Sequence, residues 1–562
     1  MVNKTSEIEN ERSSLLRTSS IISDNSSEDT VQDVNDQNQS NYGAVEDGSG
    51  PNPKIEVKKV GKKFKEIWPI FLGLTSAVFC AALSMTIVAN LTIEIGSYFH
   101  AGSLASWLGT GFLLGLTAMT PLYGRLAQVM GRKGVMLLAV NLFLVGTIMC
   151  AVAPTMGFMI AARVIAGAGS GGILTVSAII ISDLVSLADR GLYQGGTNLL
   201  FGAGSALGAV VGGAISDRLG WRAAFWLQVP PVIFALFLIV WKVNVDREKG
   251  EDVGGDTTWE KIKGIDWAGS VLLMVSISSF STSSSLWTSS HYPLSHPLPL
   301  SLLAIALVTF PLFIWVEKKA AHPILPLTML SRPQPRLVLL GFFLTTLSNF
   351  SRLYMQPIYL HVTRGLNGSE TGLLLLPSSI VGSLSSLYAG WHMKFWREYK
   401  WFQAGFSFIP WLQALSITFF WGPYTDKNEL WIEMALGSLG GGVTITTLLT
   451  SLIACVEPSE LSLAISACYL ARALGQVCGL SISACIQQTI LLSSLTSRIP
   501  DDLDSVRKII QEPAEILPVL SESLKLQAKL AYLDSIRSVF AFVVCGGVGL
   551  SIVCLSLRGK KL

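Results

Sequence analysis

Half of the 562 residues are hydrophobic, only 14% are charged, the net charge is +3 and the mean hydropathy is +0.51, whereas soluble domains carry roughly a quarter charged residues. The chain therefore falls in the membrane class, and its charge is too small and too dispersed to suggest a nucleic-acid partner. No phosphate loop, zinc-ligand spacing or nucleophile motif stands in a suitable setting, so an enzyme is excluded and no metal or cofactor is expected.

Residues 1–66 are rich in Ser, Asn, Asp and Glu and cannot bury enough apolar surface to offset chain entropy, so they are expected to form a disordered tail. Within it Glu11, Leu15 and Leu16 are spaced as an acidic dileucine signal, an address read by a sorting adaptor. The tail ends in Lys54, Lys58, Lys59, Lys62, Lys63 and Lys65, which the positive-inside rule places in the cytosol near anionic lipid. No cleavable signal peptide is evident, so the first span is expected to act as the start signal.

Segments able to cross a ~30 Å core at about 20 residues each follow, near 68–92, 104–126, 134–154, 157–182, 193–216 and 222–241. A charged cytosolic linker over 242–263 precedes further spans near 264–288, 298–316, 334–356, 369–391, 400–421, 430–454, 462–488 and 537–557. The total is about fourteen. An even count puts both ends on one side, in keeping with the basic Arg558, Lys560 and Lys561 at the C-terminus. Arg125, Arg132 and Lys133, then Lys318, Lys319 and Arg332, then Lys394, Arg397 and Lys400 all fall in alternate, cytosolic loops. The long segment 489–536 is expected as a non-cytosolic loop, and Asn367, in an Asn-Gly-Ser sequon between spans nine and ten, as a glycosylation acceptor on that same side. The eight cysteines all lie in apolar stretches without metal-ligand spacing and read as packing residues.

The chain echoes itself. Gly204 and Gly208 in the fifth span, and Gly475 and Gly479 in the thirteenth, set small residues on one helix face and permit close contact. The basic turn from Gly124 to Lys133 after the second span has a counterpart in Gly390, Lys394 and Arg397 after the tenth. These repeats predict an all-α polytopic membrane protein: a six-helix half over 67–241, two inserted helices over 264–332 and a second half over 333–562, with a midplane site between the halves. Arg163 and Arg472 lie inside the fourth and thirteenth spans, where a charge is costly enough to mark function.

The stretch Gly124-Arg-Leu-Ala-Gln-Val-Met-Gly-Arg-Lys133 resembles the loop signature of the major facilitator superfamily, with Gln128 where an Asp is usual and with Gly131, Arg132 and Lys133 in register. Arg163 resembles that family's fourth-span arginine, which the resemblance associates with proton transfer. Gly204, Gly208, Gly212 and Gly213 resemble the fifth-span antiporter signature, with Ala209 in place of its proline. Ser106-Trp-Leu-Gly-Thr-Gly-Phe-Leu-Leu114, Leu187-Ala-Asp-Arg-Gly-Leu-Tyr-Gln-Gly195, Gly220-Trp-Arg-Ala-Ala-Phe-Trp226 and Tyr354-Met-Gln-Pro-Ile-Tyr359 together resemble the fungal fourteen-span drug-proton antiporters. Within that group, Ala82-Leu-Ser-Met-Thr-Ile-Val-Ala-Asn90 and Ile95-Gly-Ser-Tyr-Phe99 are most similar to the vacuolar basic amino acid transporters.

The resemblance implies exchange of basic amino acids for protons at the vacuolar membrane. The alternatives are multidrug or organic-cation efflux at the plasma membrane and a nutrient sensor that does not transport. Ser84 stands where such relatives have an Asp, and a hydroxyl cannot carry a proton at physiological pH. Glu94, Asp183 and Glu433 are then the acidic candidates near span ends. A cavity lined by spans one, four, five and nine offers Ser84, Asn90, Asn198, Tyr354 and Gln356 as polar contacts for the solute.

Overall fold

A computed structural model describes residues 64–101, 104, 107–243, 266–288, 296–320, 327–366, 368–499 and 520–559. Glu11, Leu15 and Leu16, the linker from residue 244 onward and Asn367 lie outside the described residues, and Asn90 is described only by its place in the first helix.

The described chain is helical, as a bilayer requires of any backbone that must satisfy its own polar groups. In order, the first half comprises α1 (Phe64–Tyr98), α2 (Trp107–Val129), α3 (Arg132–Ala151), α4 (Met156–Leu184), α5 (Leu187–Leu219) and α6 (Trp221–Lys242). The inserted pair is α7 (Trp267–Thr288) and α8 (Pro297–Lys319). The second half comprises α9 (Pro333–Ile358), α10 (Gly368–Trp396), α11 (Lys400–Phe420), α12 (Lys427–Ile453), α13 (Leu461–Arg498) and α14 (Glu522–Ser556). Local chemistry sets several boundaries: Thr155 and Ser186 cap α4 and α5 by accepting backbone N–H bonds from Phe158 and Asp189. Gly131, at φ 80°, makes the turn between α2 and α3 that a side chain would strain.

Ten of these helices (α1, α3, α4, α6, α8, α9, α10, α12, α13 and α14) are long and apolar enough to cross a bilayer. α2, α5, α7 and α11 fall short because glycine, serine, threonine and glutamine occupy much of their length. The expected count of fourteen spans thus includes four helices that composition alone does not mark. α8 shows why the others do so clearly: Leu300, Leu307, Val308, Leu312 and Trp315 are all exposed along it, a surface that a soluble protein would cover and that lipid covers here.

The halves repeat one packing plan. α2 and α3 pack on α4 as α10 and α11 pack on α12, and α1 packs on α5 and α6 as α9 packs on α13 and α14. The echo seen in the glycines has a cause. A Cβ on Gly204 or Gly208 would overlap the carbonyls of Phe79 or Leu83 in α1, and a Cβ on Gly475 or Gly479 those of Phe343 or Leu347 in α9. Gly212 faces Ile87 in the same seam, and Gly213 lies in the same helix. The halves meet along α5 with α10 and α2 with α13, and the inserted pair rests on α2 and α13 through α7.

One expected element differs. Much of the segment 489–536 is helical, because α13 runs to Arg498 and α14 begins at Glu522. Leu491, Leu495 and Ile499, at helical spacing, pack on Ala528, Ala531 and Tyr532, and Arg498 pairs with Asp534 at 2.7 Å. A narrow apolar stripe at the end of α13 and the start of α14 holds the extension together where continuous hydrophobicity thins.

Candidate functional site

On the side that the charge pattern assigns to the cytosol, the two halves are in direct contact. Gly124 of α2 lies against Ser462 and Ser466 of α13, and Gly390 of α10 lies so close to Gly191 of α5 that an added Cβ would overlap the Gly191 carbonyl. Ala127, Ala178 and Ile179 from the first half join Val338, Leu448, Leu452 and Ile465 from the second in one buried apolar cluster. Water is excluded from this end by packing rather than by a single gate.

The basic turn braces that closure. Arg132 Nε donates to Asp183 Oδ2 at 3.0 Å, and Lys133 Nζ donates to the Val240 carbonyl of α6 at 2.8 Å, which satisfies a helix C-terminus. Gln128 accepts a 2.6 Å bond from Arg125 Nη1 and donates to the Ser459 carbonyl of the other half at 3.5 Å. The neutral amide therefore keeps a cross-half contact without a charge. The repeat of this turn does the same across the other seam, where Lys394 Nζ lies 3.1 Å from Asp189 Oδ1 of α5. Both side chains are about 40% exposed (44% and 36%), so the pair contributes at most about 1 kcal/mol. Lys394→Glu is expected to slow solute flux about two- to fivefold, and adding Asp189→Lys to recover part of the loss. Initial rates in reconstituted vesicles check this, and a double variant as slow as the single one would remove the pair from the closure.

Beyond the seal lies a cavity of about 370 Å³ whose walls come from both halves, a size within the roughly 300–1,000 Å³ of small-ligand sites. Asn198 ties its floor together: its Nδ2 donates to Ser386 Oγ at 2.7 Å and to Thr446 Oγ1 at 3.4 Å, and its Oδ1 accepts from Gln194. Of the residues expected from sequence, Asn198, Gln356 and Arg472 line the cavity. Tyr354 packs instead against the apolar cluster of α9, α11, α12 and α14. Arg352, Asn349, Tyr469 and Gln476 line it without having been expected. Arg352 carries the same signal as Arg163, a charge inside a span, and that rule alone would have found it.

Arg163 and Ser84 sit away from these walls and meet each other. The Arg163 guanidinium is 1% exposed, donates to the Leu108 carbonyl of α2 at 3.2 Å and to Ser84 Oγ of α1 at 3.1 Å, and lies 4.3 Å over the Phe112 ring. The pair is thus a joint between α1, α2 and α4, one residue from Met85 of the cavity wall. The three acidic candidates are dispersed. Asp183 is engaged by Arg132, Glu94 accepts a 2.5 Å bond from Ser216 at the far end of α1, and Glu433 accepts bonds from Ser416 and Trp421. None of them lines the cavity.

Comparison with known proteins agrees with this geometry. Residues 74–480 match the model of the Major Facilitator Superfamily. The chain is 33% identical to the multidrug resistance protein fnx1 of Schizosaccharomyces pombe, over 89% of this chain and 94% of that one. It is 30% identical to the vacuolar membrane amino acid uptake transporter fnx2 of the same yeast, over 96% and 95%. It is also 30% identical to the vacuolar basic amino acid transporter 1 of Saccharomyces cerevisiae, over 79% and 83%. Among solved structures, the human organic anion transporter MFSD10 superposes with a TM-score of 0.55 at 14% identity, over 86% of this chain and 99% of that one.

Proposed function

The chain belongs to the major facilitator superfamily, and we propose that it exchanges amino acids, basic ones among them, for protons across the vacuolar membrane. The observation that carries the transport reading is the cavity itself: walled by both halves and sealed by cross-half contacts on one side, it supports a site that opens to one face at a time, as alternating access requires. The amino-acid and vacuolar parts are supported by relatives 30% identical over most of both chains and named for those roles. In this reading Asn198, Gln356, Arg352 and Arg472 meet the solute. Of the three acidic candidates, Glu433, which accepts from Ser416 and Trp421, is the one proposed for proton exchange, since Asp183 is paired with Arg132 and Glu94 lies exposed at the far end of α1.

A second reading, efflux of organic cations at the plasma membrane, is supported by the 33% identical relative named for multidrug resistance. Uptake of radiolabelled lysine into vacuolar vesicles, with the proton gradient intact or collapsed by an ionophore, tests the proposal. Gradient-dependent accumulation above that of vesicles lacking the protein is expected. Accumulation of a lipophilic organic cation in its place favours the second reading, and flux of neither overturns transport.

A further inference from the structure

The charge in the cavity wall has one sign. Two guanidinium groups reach it, Arg352 from α9 and Arg472 from α13; among the described residues the rest of its polar lining is hydroxyl, amide and phenol, with no carboxylate. Arg352 is 5% exposed. Its Nη2 donates to Asn349 Oδ1 at 2.6 Å and its Nη1 to Gln413 Oε1 at 3.2 Å, both neutral acceptors, and its buried Nε has no acceptor. Gly437 leaves the space that this guanidinium occupies, since a Cβ there would overlap Nη1. Arg472 lies 4.9 Å over the Tyr469 ring, a neutral support that orients a cation without cancelling it.

Burying a charge without a counter-ion is costly, and the wall supplies none. A guanidinium offers a fork of N–H donors that matches a carboxylate in shape and sign. We propose that the cavity captures its solute by an anionic group, a carboxylate, through Arg352 and Arg472, and that the cationic end of a basic amino acid is not what it selects. The inference rests on the reading that this cavity is the solute site. It also changes the expected range: amino acids with neutral side chains enter on the same terms as lysine, whereas a diamine or an organic cation without a carboxylate meets two like charges.

The test uses the purified full-length protein, its thermal unfolding midpoint being followed against four probes. These are lysine, norleucine (a carboxylate with a neutral side chain), cadaverine (lysine without the carboxylate) and succinate. Lysine and norleucine are expected to raise the midpoint and cadaverine to leave it unchanged. Arg352→Gln and Arg472→Gln should each raise the lysine concentration needed for half the shift at least about tenfold. Arg352→Lys, which keeps the charge but loses the fork, should fall in between. Cadaverine stabilising as lysine does, both glutamine variants binding as the wild type does, or no probe shifting the midpoint would each overturn the proposal. Succinate acting through the arginines while lysine and norleucine do not would leave the anion site standing and remove the amino-acid reading. If one variant does not fold, the other and the four-probe comparison on the wild type decide the matter.

Discussion

Arg163→Ala is expected to reach its membrane and to carry solute at no more than about a hundredth of the wild-type rate. Among its partners, the side chain makes charge-assisted bonds to the Leu108 carbonyl and to Ser84, each worth about 1.5–3 kcal/mol. Assembly of the half does not depend on them. A Cβ on Gly115 would overlap the Val164 carbonyl, one on Gly167 the Phe112 carbonyl and one on Gly146 the Ala166 backbone, so α2, α3 and α4 are already locked together by close packing. What the arginine adds is a tie from α4 to α1 through Ser84, one residue from Met85 of the cavity wall. Arg163→Lys should rescue poorly, because one ammonium cannot reach both acceptors while lying over Phe112. Lysine uptake per molecule, in cells where fluorescence shows correct placement, checks this, and normal flux from the alanine variant would sink it.

Gly390→Val is expected to cost about ten- to a hundredfold in flux by a different route, preventing closure on the side of the basic loops. The added side chain would collide with the Gly191 backbone, which cannot yield without moving α5, and overpacking of this kind costs about 1–3 kcal/mol. Gly191→Ala is the internal control, since the atom it meets first is the terminal methyl of Met393, which can swing aside. It should retain most of the flux. Ser386→Cys, at the floor of the cavity, should be labelled faster by an impermeant thiol reagent from the basic-loop side in the Gly390→Val background than without it. Equal protection in both backgrounds would show that this crossing is not part of the seal.

The architecture was legible because membrane helices announce themselves in two independent ways. Long apolar runs mark ten of the described helices, and alternating lysine and arginine assign the loops between them to two sides. The glycine pairs added the two-fold plan, since close packing restricts residue type at fixed positions and Gly475 and Gly479 repeat Gly204 and Gly208. The extended ends of α13 and α14 were not legible in the same way, because what holds them is a narrow stripe of Leu491, Leu495 and Ile499 among serines and threonines at the end of α13.

Within the site, charge inside a span pointed to Arg163 and Arg472, but it does not tell which way a side chain faces. Arg163 turns into the joint with Ser84 and Arg472 toward the cavity. Arg352 lies beside the Tyr354 motif and was hidden by it, although Arg352 lines the cavity and Tyr354 does not. Glu94, Asp183 and Glu433 could be identified as the acidic residues near span ends, yet their partners are fixed by helix packing over separations of up to 122 residues.

The one-signed cavity also has an electrical consequence. When access switches from one face of the membrane to the other, the voltage drop shifts from one side of Arg352 and Arg472 to the other, as though their charge had crossed part of the field. A full unit charge crossing 100 mV exchanges about 2.3 kcal/mol, so even a fraction of that step weighs on the rate at which an empty carrier resets. On the carboxylate proposal a zwitterionic amino acid adds no net charge to that step and lysine adds one, so the loaded carrier meets the membrane potential at least as strongly as the empty one.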